Sequence, residues 1–294
     1  MFQKLAICGF FFVANMRFFQ KKSVFLQLNK YVIVVCNKIK INYMDTIDFL
    51  KQHKSIRKYK KQIIPTDVLN RILEAGIRGS NTGNMQIYSI VLTRDEKRKK
   101  ELAKFHFGQK MVEDADTVAT VCVDINRYHK WCMLRNAGTA YDNLLWLLTG
   151  TVDATIATQN MCVAAESEGI GFCYLGTVLY NAPEIAEYLK LPKGVVPVTT
   201  ITMGYPDESP DFTERLPLNG VVHYEEYHDY SDKDIDDIFA EKEALPFSKE
   251  MVRVNGTENL AQIFTQKRYK KEDNLFISQK LLKFLKDSDF MNNE

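Results

Sequence analysis

Glu168-Gly169-Ile170-Gly171-Phe172-Cys173-Tyr174-Leu175-Gly176-Thr177 is the stretch on which the reading of the fold turns. Gly169 closes a helix as a C-cap, because glycine takes the left-handed conformation at little cost. Gly171 to Leu175 then runs as a strand. The glycines leave backbone amides exposed, but they lack the G-x-G-x-x-G spacing after a strand and before a helix, which rejects a Rossmann dinucleotide site. Upstream, Asp153 to Glu168 reads as a helix that is apolar almost all round. Thr155, Ile156, Ala157, Met161, Cys162, Val163, Ala164 and Ala165 leave it little polar face, so it must be buried, within the subunit or against a partner subunit.

Working outward, Thr139 to Leu148 reads as a further helix, and Ile87 to Thr93 and Thr117 to Asp124 as strands. Val68, Leu69, Ile72, Leu73 and Ile77 recur at helical spacing after Pro65, until Gly79-Ser80-Asn81-Thr82-Gly83-Asn84 stops them. Asp45 to His53 makes a short opening helix. Downstream, Pro183 starts a helix that ends at Leu191-Pro192, and Val195 to Met203 is the last strong strand. Past Pro206 the chain turns acidic, with tail helices around Asp232 to Glu243 and Asn274 to Leu285. Residues 44–230 therefore read as one domain and 231–294 as a helical extension packed on the body or on a partner subunit, since the tail has too few apolar residues for a core of its own.

Hydrophobic residues make up 46% of the 294 and charged residues 26%, an ordinary globular balance. A formal charge of +2 gives no overall field toward nucleic acid or anionic lipid, so neither nucleic acid nor stable membrane association is expected. Cys8, Cys36, Cys122, Cys132, Cys162 and Cys173 contain no C-x-x-C pair. They read as free thiols in a reducing cytoplasm, and no metal site is expected. Residues 1–43 superficially look like a secretory leader, but a cut after Ala14 would place Phe12 where a small residue is wanted. Met44 is favoured as the functional start, ahead of a membrane-touching anchor or an export signal.

Four constellations carry possible chemistry. His53, Ser55 and Arg57 alternate along extended chain and share one side; a hydroxyl and cationic donors there suit a phosphate or an electron-rich heterocycle edge. Ser80-Asn81-Thr82-Gly83-Asn84-Met85-Gln86 is a turn whose small residues and amides suit a planar heterocycle. The middle stretch offers backbone amides, and Arg215-Leu216-Pro217 places an arginine in a proline-anchored segment. Singly, each is more often a turn or a solvated edge. Their joint order decides the matter.

In that order the four motifs resemble the nitroreductase family, and within it the oxygen-insensitive NADPH nitroreductase and flavin reductase branch, over residues ~46–230. The resemblance implies an α+β fold with a mixed, mainly antiparallel sheet flanked by helices, in an intertwined homodimer with FMN at the subunit interface. It also implies a cytoplasmic flavoprotein oxidoreductase passing hydride from NADPH or NADH to nitroaromatics, quinones or flavins by a ping-pong route. By motif position, His53, Ser55 and Arg57 would hold the phosphate and pyrimidine side, with Arg215 on the phosphate. Ser80, Asn84, Gln86 and Gln109 would contact the flavin, some from the partner subunit. Leu175 and Gly176 would offer amides to the isoalloxazine. No catalytic acid or base is called for; Arg57 supports the charge that arrives.

Departures from the family pattern stand at Gly79 and Ile87, where prolines are common, which would loosen the second motif. Thr213 replaces a lysine, removing one phosphate cation, and Gly176-Thr177 replaces a pair of glycines. Other FMN chemistry, such as reductive dehalogenation or flavin breakdown, and non-catalytic flavin binding remain alternatives. Lys267, Arg268, Lys270 and Lys271 could meet a 2′-phosphate, though a solvated helix end also accounts for them.

Overall fold

The computed structural model describes residues 45–292, so the readings of the leader-like segment and of Cys8 and Cys36 lie outside the described residues. The chain divides into two compact units, Met1–Lys51 and Gln52–Glu294. The described part of the first is helix α1, Thr46–Lys51.

In the second unit, four strands form one sheet: β1 (Tyr88–Thr93), β2 (Thr117–Asp124), β3 (Gly171–Tyr174) and β4 (Val195–Gly204). Their order is β1-β2-β4-β3, and the three pairings are antiparallel, within the α+β class the resemblance implied. Every residue of β2 is buried, as expected of a central strand covered on both faces. Helices α2 (Thr66–Ile77), α3 (Glu96–Phe105), α4 (Lys110–Asp114), α5 (Asn126–Met133), α6 (Leu144–Ser167) and α7 (Ala182–Leu189) complete the body.

The helices read from the sequence at 139–148 and 153–168 run on as one continuous helix, α6, which starts only at Leu144, so that residues 139–143 are not helical. Gly150 lies in its interior and causes no break. A Cβ there would come within 2.6 Å of Val123 Cγ1 and 3.2 Å of Ile87 Cδ1, so the glycine serves the close approach of α6 to the sheet. Asn143 caps the helix by accepting from the Trp146 N–H, and Gly169 ends it at φ +73. The core on one face unites Ile72, Met161, Phe172, Ile201 and Met203.

The tail adds α8 (Asp232–Ala244), α9 (Pro246–Asn255), α10 (Leu260–Ile263) and α11 (Lys271–Asp287). It packs on the body: Phe290 is fully buried with Val123, Ile125, Leu147 and Val196, Ser288 accepts the Gly194 N–H at 3.0 Å, and Lys280 pairs with Glu184 at 2.5 Å. Among the described residues no helix is long and apolar enough to cross a membrane, and no cluster of His, Cys, Asp or Glu could hold a metal ion.

Candidate flavin site

The segment His53–Tyr59 lies along β3 and the end of β4 because the sheet is built to receive it. The Ile56 N–H donates to the Phe172 carbonyl at 2.9 Å. A Cβ at Gly171 would stand 2.5 Å from Ile56 Cγ1, and one at Gly204 2.8 Å from Tyr59 Cδ1; both glycines allow the two backbones to approach. The Tyr59 hydroxyl is hydrogen-bonded to the Ile56 carbonyl (2.5 Å) and to Thr202 Oγ1 (2.8 Å), and burial raises its pKa above the ordinary phenol range. The segment is thus pinned on one side while Arg57 stays exposed.

His53 stacks on Phe172 with centroids 4.8 Å apart and donates from Nδ1 to Glu166 at 2.6 Å. The late segment reaches the same place: Glu208 accepts the Arg57 and Lys58 N–H groups at 2.5 and 3.0 Å, and Lys54 Nζ lies 4.3 Å from the Phe212 ring centre. Burial pushes the Cys173 thiol up, and the Arg57 guanidinium beside it pulls it partly back. The first and third motifs therefore converge, the late segment joins them through Glu208 and Phe212, and Lys54 brings a cation toward the segment in which Thr213 replaces one. Arg215 is exposed and, among the described residues, donates only to the carbonyls of Thr213 and Glu214.

Beyond β3 the chain makes a 3-10 turn, Gly176–Val178. Here the expectation for Leu175 needs correction. Its N–H is spent on the Thr200 carbonyl at 2.8 Å, because the ladder between β3 and β4 runs one residue past the named strand. Gly176 opens the turn, where N–H groups have no partner inside the helix, and a Cβ built on it meets nothing within 4 Å. Gln109, the N-cap residue of α4, belongs to a loop tied to this turn: His106 Nδ1 lies 2.7 Å from Thr177 Oγ1, and Asn181 Nδ2 donates to the Phe105 carbonyl at 2.7 Å.

The second motif stands apart. Asp153, 1% exposed on α6, accepts from the Thr82 N–H (2.9 Å) and hydroxyl (3.2 Å), and Asn81 Oδ1 accepts the Gln86 N–H at 3.1 Å. The loop expected to be loosened is braced instead; Gly79 has Ile156 and Ala157 of α6 against it, with 3.1 Å to Ile156 Cγ2 for a built Cβ. Ser80 and Asn84 are exposed, while Gln86 Nε2 donates to the Ile77 carbonyl at 3.2 Å. Asp153 and Glu166, the anchors of the second and first motifs, are thirteen residues apart on one helix, roughly 20 Å at 1.5 Å per residue. Among the described residues no hydrogen bond or ion pair joins Ser80, Asn84 or Gln86 to the other three motifs.

Sequence reasoning assigned no role to His106, Asp153 or Arg127. Arg127 donates to the Gln86 and Tyr88 carbonyls and lines a cavity of about 470 Å³ with Gln86. A lone histidine and a lone acid carry no motif signal; Arg127 shows only in its position just past β2. Of the tail cations, Arg268 lies 5.7 Å from the Phe264 ring centre and lines a cavity of about 650 Å³ shared with Phe212 and Thr213, while Lys267, Lys270 and Lys271 are exposed.

The model of the nitroreductase family matches residues 50–205. The chain belongs to the nitroreductase family. The oxygen-insensitive NADPH nitroreductase of Salmonella typhimurium is 34% identical over 188 residues, 64% of this chain and 77% of that protein. A protein of known structure from Bacteroides fragilis shares 45% identity at a TM-score of 0.82, covering 83% of this chain and all of that one. The NADPH:FMN oxidoreductase of Vibrio harveyi, solved with NAD+, gives 28% identity and a TM-score of 0.67 over 84% of this chain and 99% of that one. The donors suit the FMN that such a nitroreductase fold implies: unlike Arg71, Arg94 and Arg253, which are paired with carboxylates, Arg57 and Arg215 have no acidic side-chain partner among the described ion pairs. Exposed guanidiniums without an acidic partner match a phosphate and a heterocycle edge.

Proposed function

We propose that this nitroreductase is an FMN-dependent enzyme that takes hydride from NADPH or NADH and passes electrons in pairs to nitroaromatics, quinones or flavins. The observation that carries the reading is that the 53–59 segment and the late residues Glu208 and Phe212 meet along β3, with the exposed Arg57 unpaired by any acid among the described ion pairs. When bound, FMN supplies the hydride-accepting chemistry. Arg215 and Ser55 hold its phosphate, with His53 held in orientation by Glu166. Arg57 would stand where negative charge arrives on reduction, and its guanidinium would stabilise that charge. Gly176 would give an N–H, and Gln109 would reach the flavin from the loop that His106 ties to the same turn.

Ser80, Asn84 and Gln86 serve the site of a second subunit, which is why α6 holds their loop so far from His53. The same helix exposes Leu144, Leu145, Leu148 and Val152 along one stripe, spaced at three and four residues as a helix interface is. A homodimer that covers this stripe is the assembly proposed, with residues 44–230 as the flavin domain and 231–294 as its helical extension. The described cysteines are free and buried, in keeping with a reducing cytoplasm. The test is steady-state NADPH oxidation with menadione at several fixed acceptor concentrations. Parallel double-reciprocal lines are the expected result; no acceptor-dependent oxidation with either nucleotide would overturn the reading.

A further inference from the structure

The turn after β3 presents two N–H groups without acceptors inside it, those of Gly176 and Thr177, since the first donors of a 3-10 turn have no preceding carbonyl to reach. On the strand side the turn is held by the Leu175 N–H on Thr200. On the other side the 105–109 loop holds it, through His106 on Thr177, Asn181 on the Phe105 carbonyl and the edge of Phe107 against Tyr180 at 6.0 Å. Only the first of these grips the part of the turn that carries the free donors.

His106 is 0% exposed, and burial holds its pKa down to about 4, so the ring is neutral near pH 7 and carries a single N–H. Its Nε2 is buried without a hydrogen-bond partner among the described residues. Leaving a lone pair unsatisfied there is the cheaper alternative to stranding an N–H. The proton therefore sits on Nδ1, which donates to Thr177 Oγ1 and leaves the hydroxyl hydrogen of Thr177 free to donate elsewhere.

We propose that His106 is a positioning residue for the flavin site: its hydrogen bond to Thr177 orients the turn so that the Gly176 and Thr177 N–H groups and the Thr177 hydroxyl face the isoalloxazine as one donor set, with the Gln109 loop locked beside them. This rests on the FMN reading above. His106 touches no flavin atom and acts through Thr177. A purely structural role would alter melting temperature alone; positioning alters the flavin.

The experiment compares Thr177→Val, which keeps the shape and removes the hydroxyl, with Thr177→Ser, which keeps the hydroxyl, and with His106→Leu. Amide hydrogen exchange of the peptide spanning 172–180 is read in the apoprotein, and midpoint potential and visible spectrum in the reconstituted holoenzyme. A hydrogen bond of about 0.5–1.5 kcal/mol predicts exchange of the turn's bonded amides, Val178 on Leu175 and Leu179 on Gly176, faster by about two- to tenfold in Thr177→Val and His106→Leu. Both variants should also show a more negative potential and a shifted flavin band. Thr177→Ser should match the parent, and the Val/Leu double variant should be no worse than either single one. Unchanged exchange and potential in Thr177→Val, a Thr177→Ser as disturbed as Thr177→Val, or additive effects in the double variant would overturn the positioning role while leaving the FMN reading intact. A parent protein that takes up no FMN would end both.

Discussion

Gly171→Ala tests the link between sheet packing and the site. The added Cβ would stand 2.5 Å from Ile56 Cγ1, 2.7 Å from its Cβ and 3.0 Å from its Cγ2. These are not the far end of a flexible chain, and Ile56 is held by its N–H on Phe172, so the 53–57 backbone has to move. Overpacking of this kind costs about 1–3 kcal/mol, offset by about 0.5–1 kcal/mol because alanine restricts the unfolded chain more than glycine. A net loss of about 1–2 kcal/mol lowers Tm by roughly 2–8 °C for a body of this size. The displaced Arg57 and Ser55 should also weaken FMN binding about tenfold. Gly176→Ala is the contrast: its Cβ meets nothing within 4 Å and its φ is not positive, so Tm should hold while FMN affinity drops. Thermal melts of the apoproteins and titration of FMN fluorescence read both quantities. Wild-type Tm and FMN affinity in Gly171→Ala, or identical behaviour of the two variants, would refute the reasoning.

Arg215→Ala should weaken FMN binding by about one to two powers of ten with the apo fold unchanged, at about 1.5–3 kcal/mol for hydrogen bonds to a charged group. Arg57→Ala should instead lower the flavin midpoint potential at saturating FMN, measured by dye equilibration. His106 gives a pH signature. Its folded pKa of about 4 lies below the ordinary value of 6.5, so the unfolded chain binds the extra proton first. Stability is full above pH 6.5 and falls by about 3 kcal/mol as pH drops toward 4; His106→Leu should flatten that part of a urea-denaturation pH profile. Leu148→Arg, in the middle of the exposed α6 stripe, should shift the species seen by sedimentation velocity from dimer to monomer.

Much of the fold was legible because its signals are local. The strand at 117–124 and the helix at 66–77 announce themselves by β-branched runs and helical spacing, and the bounds agree with the structure to within a residue or two. The supposed break in α6 was not legible, because a glycine that lets Val123 and Ile87 approach looks the same in sequence as one that ends a helix. The amide of Leu175 was misjudged for a similar reason: whether a strand's ladder runs one residue further depends on Thr200, a partner distant in sequence. The four motifs could be read from residue types and order, but not that Asp153 braces the second or that His106 grips the third. Each of those is a single buried polar residue whose role exists only through a partner 71 residues away.

The absorbance spectrum of the purified protein is the sharpest test of FMN dependence. An FMN enzyme shows flavin bands close to those of free FMN, lost to the filtrate as FMN on denaturation, and a yellow holoenzyme regained when FMN is added back to the apoprotein. A colourless protein whose melting temperature and spectrum do not respond to added FMN would contradict it.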